Sequence, residues 1–410
     1  MARRITLINN ISVGRFARTV SDPFSMAETR RKARARKNRE DRARAFTTSQ
    51  SESILFYRLI VPRLHNRSEK GIKKMHFESL RKMVPGWLAA LFVFLLLPSF
   101  ASAQTPSPAL LVLNKGDATL SIIDPATSKT VAQVPTAEGP HEITVSDDGK
   151  FAFVANYGAR NPGHTISVID LLAQKELRRV DLGVLRRPHG ITFSEGKVWF
   201  TAEQNKLIAS YDPAANQLDG LLGIGLNGTH LLVFSKDRSL LFTSNIGSDS
   251  ITLLQRNSDP SGWTLTNIPV GKGPEGADIS PDAHEFWAAN SGDGTVSIID
   301  VTSKKVTQTL DLRINRSNRL KFTPDGKLVL ISDLGGSGLV IVDAASRKEI
   351  KRLNLGHRPE GILILPDGSR AYVAVAGEKT VAVLNLKSLE VTVRIPTGND
   401  PDGLAWAFRH

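Results

Sequence analysis

"GPHEITVSDDGKFAFVAN" (139–156) reads as a strand, a tight turn and a second strand, and the chain writes the phrase again. "GPEGADISPDAHEFWAAN" (273–290) and "RPEGILILPDGSRAYVAV" (358–375) keep its order: an opening proline, an alternating run, an Asp-bearing turn and a second run. A phrase recurring in this way marks a repeat architecture, in which each unit buries its apolar face only against its neighbours.

Working outward from these phrases, three cues recur in fixed order. Openings fall at Pro140, Pro188, Thr229, Pro274, Ser317, Pro359 and Pro401, at intervals of 48, 41, 45, 43, 42 and 42 residues. A short strand then ends in Asn or a relative, as in "FVAN" (153–156), "FTSN" (242–245) and "WAAN" (287–290). Last comes an alternating strand usually closed by Asp, as in "TLSIID" (119–124), "TISVID" (165–170) and "TVSIID" (295–300). Turns fit the same scheme: Pro324 and Pro366 preset φ, while Gly326 and Gly368 suit the tight reversal after Asp. Alternating β-branched residues with turn signals every eight to twelve residues exclude a helical repeat.

Each unit supplies four strands, and a four-stranded unit with a period of roughly 40–45 residues is a propeller blade. Six units are complete. A fragment at about 109–136 lacks a first strand, and "DPDGLAWAF" (400–408) is a first strand with nothing after it. The expected fold is all-β: a seven-bladed β-propeller of four-stranded blades, closed by the N-terminal strands pairing with the C-terminal strand. Closure also removes the free edges of an open array.

These phrases resemble the YVTN-repeat β-propeller family, the YncE-like group of exported bacterial proteins, over nearly all of 109–410. Two units depart. "PHGITFSEGKVWFTAEQNKLIASYDP" (188–213) is more similar to a streptogramin-lyase-type or NHL blade, and "SNRLKFTPDGKLVLISDLGGSGLVIVD" (317–343) lacks the opening proline. The resemblance implies an exported propeller that binds a ligand or partner. Some members bind DNA, and YVTN repeats also resemble the haem d1-binding propeller of nitrite reductase, although no c-type haem attachment motif exists here.

Charge bears on the DNA reading. The chain holds 53 Lys/Arg and 40 Asp/Glu, but residues 1–103 carry 21 and 7 of them. The remaining 32 against 33 leave residues 104–410 with no electrostatic reason to seek phosphate backbones. Within the basic leader, Arg81 and Lys82 precede the apolar run "WLAALFVFLLL" (87–97) and the small-x-small pattern Ala101-Ser102-Ala103. That run is about half the length needed to span a bilayer. The expectation is a signal peptide over 75–103, cleaved before Gln104, with no membrane span after cleavage and a periplasmic or secreted product. Residues 1–74, with the Arg-rich "RRKARARKNREDRARA" (30–45), form an N-terminal extension expected to be disordered or to precede the true start near Met75. Residues 104–410 are expected to form the propeller, as a monomer. The chain has no cysteine, which excludes disulfides, thiol nucleophiles and Cys-ligated zinc.

If the inner strand of each blade runs away from the entrance, two rings of residues collect on that face. The first holds the residue after each opening: His141, His189, His230, Glu275, Asn318, Glu360 and Asp402, with Arg319 beside Asn318. The second holds the loops after strand two: Asn114, Asn156 with Tyr157 and His164, Glu203, Asn245, Asn290 and Asp333. Candidate ligand-binding residues are thus His141, His189, His230, Glu275, Arg319, Glu360, Asp402, Tyr157 and His164. Three histidines in consecutive blades, followed by Glu275, suit a divalent metal. They equally suit acid–base work beside an ester or lactone. Against this, inner-strand side chains are expected to face neighbouring blades, and Asn is a common turn residue. The sequence holds no phosphate loop, G-x-S-x-G elbow, H-E-x-x-H helix or EF-hand loop. Two functional expectations follow: a non-catalytic propeller binding a small-molecule or protein ligand at the channel entrance, and a lactonase- or streptogramin-lyase-like enzyme, metal-assisted or not, using the histidine cluster.

Overall fold

The computed structural model describes residues 104–258 and 262–409. The expected extension over 1–74 and signal segment over 75–103 lie outside the described residues. Among the described residues, twenty-eight strands run from β1 (Ala109–Asn114) to β28 (Pro401–Ala407) in chain order, and they form seven four-stranded antiparallel sheets. Among the described residues, no helix is long and apolar enough to cross a membrane.

The first blade shows how sequence sets strand position. Its inner strand β4 (Pro140–Val145) is followed outward by β5 (Phe151–Gly158), β6 (Pro162–Asp170) and β7 (Lys175–Asp181). The "ISVI" centre of β6 is buried on both faces, because neighbouring blades cover the middle of each sheet. "KELRRVD" of β7 alternates exposed and half-buried, as an outermost strand with solvent on one side must. Its Lys and Arg residues also make a poor template for pairing with another chain's edge.

Five further blades repeat this order. The seventh takes β28 as its inner strand beside β1, β2 (Thr119–Asp124) and β3 (Lys129–Pro135), with Leu110 opposite Trp406 and Leu111 opposite Ala405. Strands from both ends of the propeller therefore share one sheet. Apolar clusters fill the wedges between blades. Leu111, Leu113 and Ile122 of the seventh blade pack with Ile143, Ala152 and Val154 of the first. Phe242 stacks on Phe286 between the third and fourth, ring centroids 4.2 Å apart. Full burial of side chains this size contributes about 1.5–3 kcal/mol each.

One irregularity recurs in every inner strand and positions the site. The opening residue pairs with the end of strand two: Pro140 with Asn156, Thr229 with Asn245, Pro401 with Asn114. The ladder then slips by one residue before resuming, as at Pro188/Ile191, Pro274/Ala277 and Pro359/Ile362. A bulge leaves its extra residue unpaired and re-aims the side chain. This refines the expectation that inner-strand side chains face mainly neighbouring blades: the residue after each opening sits in the bulge.

Four of seven bulges carry Gly at the next position, and close approach explains it. A Cβ on Gly190 would lie 2.6 Å from the carbonyl oxygen of His230, and one on Gly361 only 2.2 Å from that of Asp402. The inner strands are thus drawn together around the axis more tightly than side chains at those positions would allow.

The Asn residues ending strand two are architectural. Asn156 Nδ2 donates to Thr165 Oγ1 and Ser167 Oγ, both at 3.0 Å, and Asn114 makes the matching pair to Thr119 and Ser121 at 2.9 Å. Asn290 repeats it with Thr295 and Ser297. Each amide is buried and faces its own third strand. The second ring expected at the entrance is therefore largely a set of clamps, with Glu203 and Tyr157 as the exceptions described next.

Candidate functional site at the channel mouth

The bulges bring seven side chains into one buried ring: His141, His189, His230, Glu275, Asn318, Glu360 and Asp402. His141 and His189 meet edge to face with ring centroids 4.3 Å apart, and His189 and His230 lie 3.6 Å apart at 35°. Tyr157 closes over the first two at 5.4 and 5.3 Å, and the Arg187 guanidinium covers the Tyr157 ring at 4.5 Å. A 3-10 turn at Glu203–Asn205, ended by Lys206 in the left-handed region, places Glu203 beside them. Its Oε2 lies 3.2 Å from His230 Nδ1, and its Oε1 accepts from the Tyr157 hydroxyl at 3.3 Å.

On the other flank His141 Nδ1 makes a close ion-pair contact with Asp402, which Lys115 Nζ also approaches at 3.4 Å. Asn318 Nδ2 donates to Glu275 Oε1 at 2.8 Å. Arg319 sits one residue beyond the ring. It reaches across the axis to a close ion pair with Glu142 of the first blade, three blades away round the ring, and stands 3.9 Å from Asp402 Oδ1. This strut crosses the channel. Glu142 and Arg319 also line a cavity of about 230 Å³, whose apolar wall includes Ile191, Leu232, Ile362 and Leu404. A larger and mostly apolar cavity of about 440 Å³ lies between the first and second blades against Phe151, Phe153 and Phe193, and shares no residue with the ring.

Burial and charge split the titrating groups. Burial, reinforced by His230 and His141, holds His189 well below the ordinary imidazole value, so it is neutral at pH 7. Burial and then Asp402 push Glu360 up to about 8, against the pull of Lys115 and Arg358. Burial works to raise Asp402 as well, but His141, Lys115 and Arg319 outweigh it and hold that carboxyl below the usual range. Glu203 is similar: His230 and Tyr157 override its burial and keep it low. Burial and Glu203 push the Tyr157 phenol up to about 12. Arg319 stays charged, since Glu142, Asp402 and Glu275 more than offset its burial.

Buried polar atoms without partners are uncommon in folded proteins. Here both ring nitrogens of His189 and the Nε2 of His230 lack hydrogen-bond partners among the described residues. Two sets of side chains have donor atoms within 4.8 Å of one another and could hold a metal: His141, Glu142 and His189, and His189, Glu203 and His230.

Of the residues singled out in the sequence, His141, His189, His230, Glu275, Glu360, Asp402, Arg319 and Tyr157 gather at the mouth. His164 does not join them: it is exposed, with Nε2 3.9 Å from Asp181 of the outer strand in its own blade. Sequence reading missed Glu142, Lys115 and Arg187. Glu142 had a signal, because it and Arg319 occupy the post-bulge position that is Gly in four other blades. Lys115 and Arg187 lie in connecting loops and carried none.

A family model described as YNCE-like beta-propeller matches residues 83–255. Antigen Lp49 of Leptospira interrogans is 21% identical over 188 residues, covering 44% of this chain and 40% of the antigen. The match thus spans well under two thirds of that relative. Among solved structures, hydrazine synthase of Kuenenia stuttgartiensis superposes with a TM-score of 0.54 at 20% identity, over 65% of this chain and 88% of that one. The periplasmic gluconolactonase of Pseudomonas aeruginosa superposes with a TM-score of 0.59 at 18% identity, over 74% and 99%. At such identities the likeness is one of fold, since propellers carry many unrelated functions. The chain's resemblance to the YNCE-like beta-propellers, read first from its repeated phrases, is thus shown by the family match over residues 83–255 and by seven blades of four strands.

Proposed function

We propose that this protein is an exported, monomeric, non-catalytic propeller that binds a small polar ligand at the channel mouth, with a divalent metal as its candidate cofactor. One observation carries the reading: a fully buried histidine, with both nitrogens unpartnered, stands in a ring of ionisable side chains. Leaving such groups unsatisfied costs about 1–3 kcal/mol each, and a ligand that pairs with them recovers it. The near-balanced charge of residues 104–410 speaks against nucleic acid as the partner. The test is thermal denaturation of the chelated protein against a panel of divalent cations and small polar metabolites. A ligand that raises Tm in the parent and not in His189→Ala supports the reading. A panel without any shift, or shifts equal in both proteins, contradicts it.

A second reading has its own observation. Glu360 and Asp402 are neighbouring carboxyls driven apart, Glu360 up to about 8 even though Arg358 Nη2 donates to it at 2.7 Å, and Asp402 below the usual range. Such a pair supplies a proton donor and an acceptor to a bound lactone. Lactone hydrolysis that Glu360→Gln slows by 100-fold or more would favour this reading over simple binding; no hydrolysis across a lactone panel retires it.

A further inference from the structure

We propose that the mouth takes a late first-row transition-metal cation such as zinc or copper(II), held by His189, His230 and Glu203. This rests on the reading of the mouth as a ligand site and names the ligand class and its donors. The choice between the two possible donor sets follows from what each carboxylate already does. Glu142 is committed to Arg319 across the channel, and the guanidinium would lose its partner if Glu142 turned to a metal. Among the described residues, the Glu203 carboxylate has no Lys or Arg partner to abandon: its hydrogen-bond partners are the His230 ring and the Tyr157 hydroxyl. A cation between His189 and Glu203 satisfies nitrogens that otherwise have no partner.

Donor chemistry sets the metal. Two imidazoles and one carboxylate suit zinc, copper and nickel, whereas magnesium and calcium demand shells of six or more oxygens. Three protein donors with a fourth position open is the pattern of zinc sites that also bind a small ligand. Bonds of about 2.0–2.2 Å place tetrahedral donors about 3.3–3.6 Å apart. The donors here lie within 4.8 Å, so side-chain rotation of roughly an ångström closes the set. Tyr157 sits behind Glu203, hydrogen-bonded to it and pinned by Arg187, and so orients the carboxylate as outer-shell partners of metal ligands do.

The full chain, freed of metal by chelation, is titrated calorimetrically with zinc, magnesium and calcium, and separately loaded with copper(II) for paramagnetic resonance. The expected result is one zinc per chain bound at least about 100-fold tighter than magnesium or calcium, and a copper spectrum split by two imidazole nitrogens. Glu203→Gln, nearly isosteric and partly exposed, should still melt in one cooperative transition and weaken zinc by about 10–100-fold. His189→Ala should abolish binding, and His141→Ala should change it by only a few-fold. Zinc no tighter than magnesium overturns the proposal. So does binding that survives both Glu203→Gln and His189→Ala, or that is lost in His141→Ala but intact in Glu203→Gln. If zinc fails to bind while a polar metabolite still stabilises the chelated protein, the metal assignment falls and the ligand site stands.

Discussion

Glu360 and Asp402 show how one ring gives like side chains opposite behaviour. Burial drives the first up to about 8 while His141, Lys115 and Arg319 hold the second down. The consequence for stability has a definite sign. An unfolded Glu360 loses its proton near its ordinary value of 4.5, whereas the folded one keeps it to about 8. Folding is therefore penalised progressively between those limits and fully above them. Replacing Glu360 by Gln should stabilise the protein by up to roughly 4 kcal/mol at pH 8 and by little at pH 4. Denaturant unfolding at both pH values measures this; an equal effect at both would contradict it. For Asp402 the sign reverses: its folded value is lowered, so its contribution is present at neutral pH and is lost as pH falls below the ordinary carboxylate range.

At the scale of elements, the inner strand with its bulge does the positioning. The Gly residues after the bulge should tolerate no side chain. Gly361→Ala puts a Cβ 2.2 Å from the Asp402 carbonyl oxygen, and should cost about 1–3 kcal/mol while disturbing Asp402 itself. Gly223→Ala, on an outer strand with nothing near the added carbon, should be close to neutral. Chemical denaturation of the two variants provides the comparison; equal losses would contradict the close approach. All seven openings picked out in the sequence, Pro140 through Pro401, begin inner strands, and "TLSIID" and "TVSIID" coincide with whole third strands. These were legible because turn chemistry and period-two patterning are local. The bulge was not, since it depends on which strand-two residue stands opposite. That is why His141 and His189 could be placed on one rim but the contact between their rings could not be derived. Glu142 and Lys115 reach the site only through blades distant in sequence.

For the whole molecule, the sheet shared by β28 and β1 joins the two ends of the propeller, and Arg319 with Glu142 braces opposite sides of the channel. Ending the chain at residue 399 removes β28, exposes the edge of β1 and takes Asp402 from the ring. An unpaired, apolar strand edge invites association. The shortened protein should lose its single cooperative unfolding transition and elute as aggregate in size-exclusion chromatography; a monomer melting like the parent would contradict the closed ring. Among the described residues, the mouth is where such closure gathers three imidazoles and their carboxylates. The most direct test is anomalous diffraction at the zinc edge from crystals of the full chain grown with zinc. The account predicts one peak within bonding distance of His189, His230 and Glu203, and a peak elsewhere, or three histidine rings standing apart from one another, would contradict it.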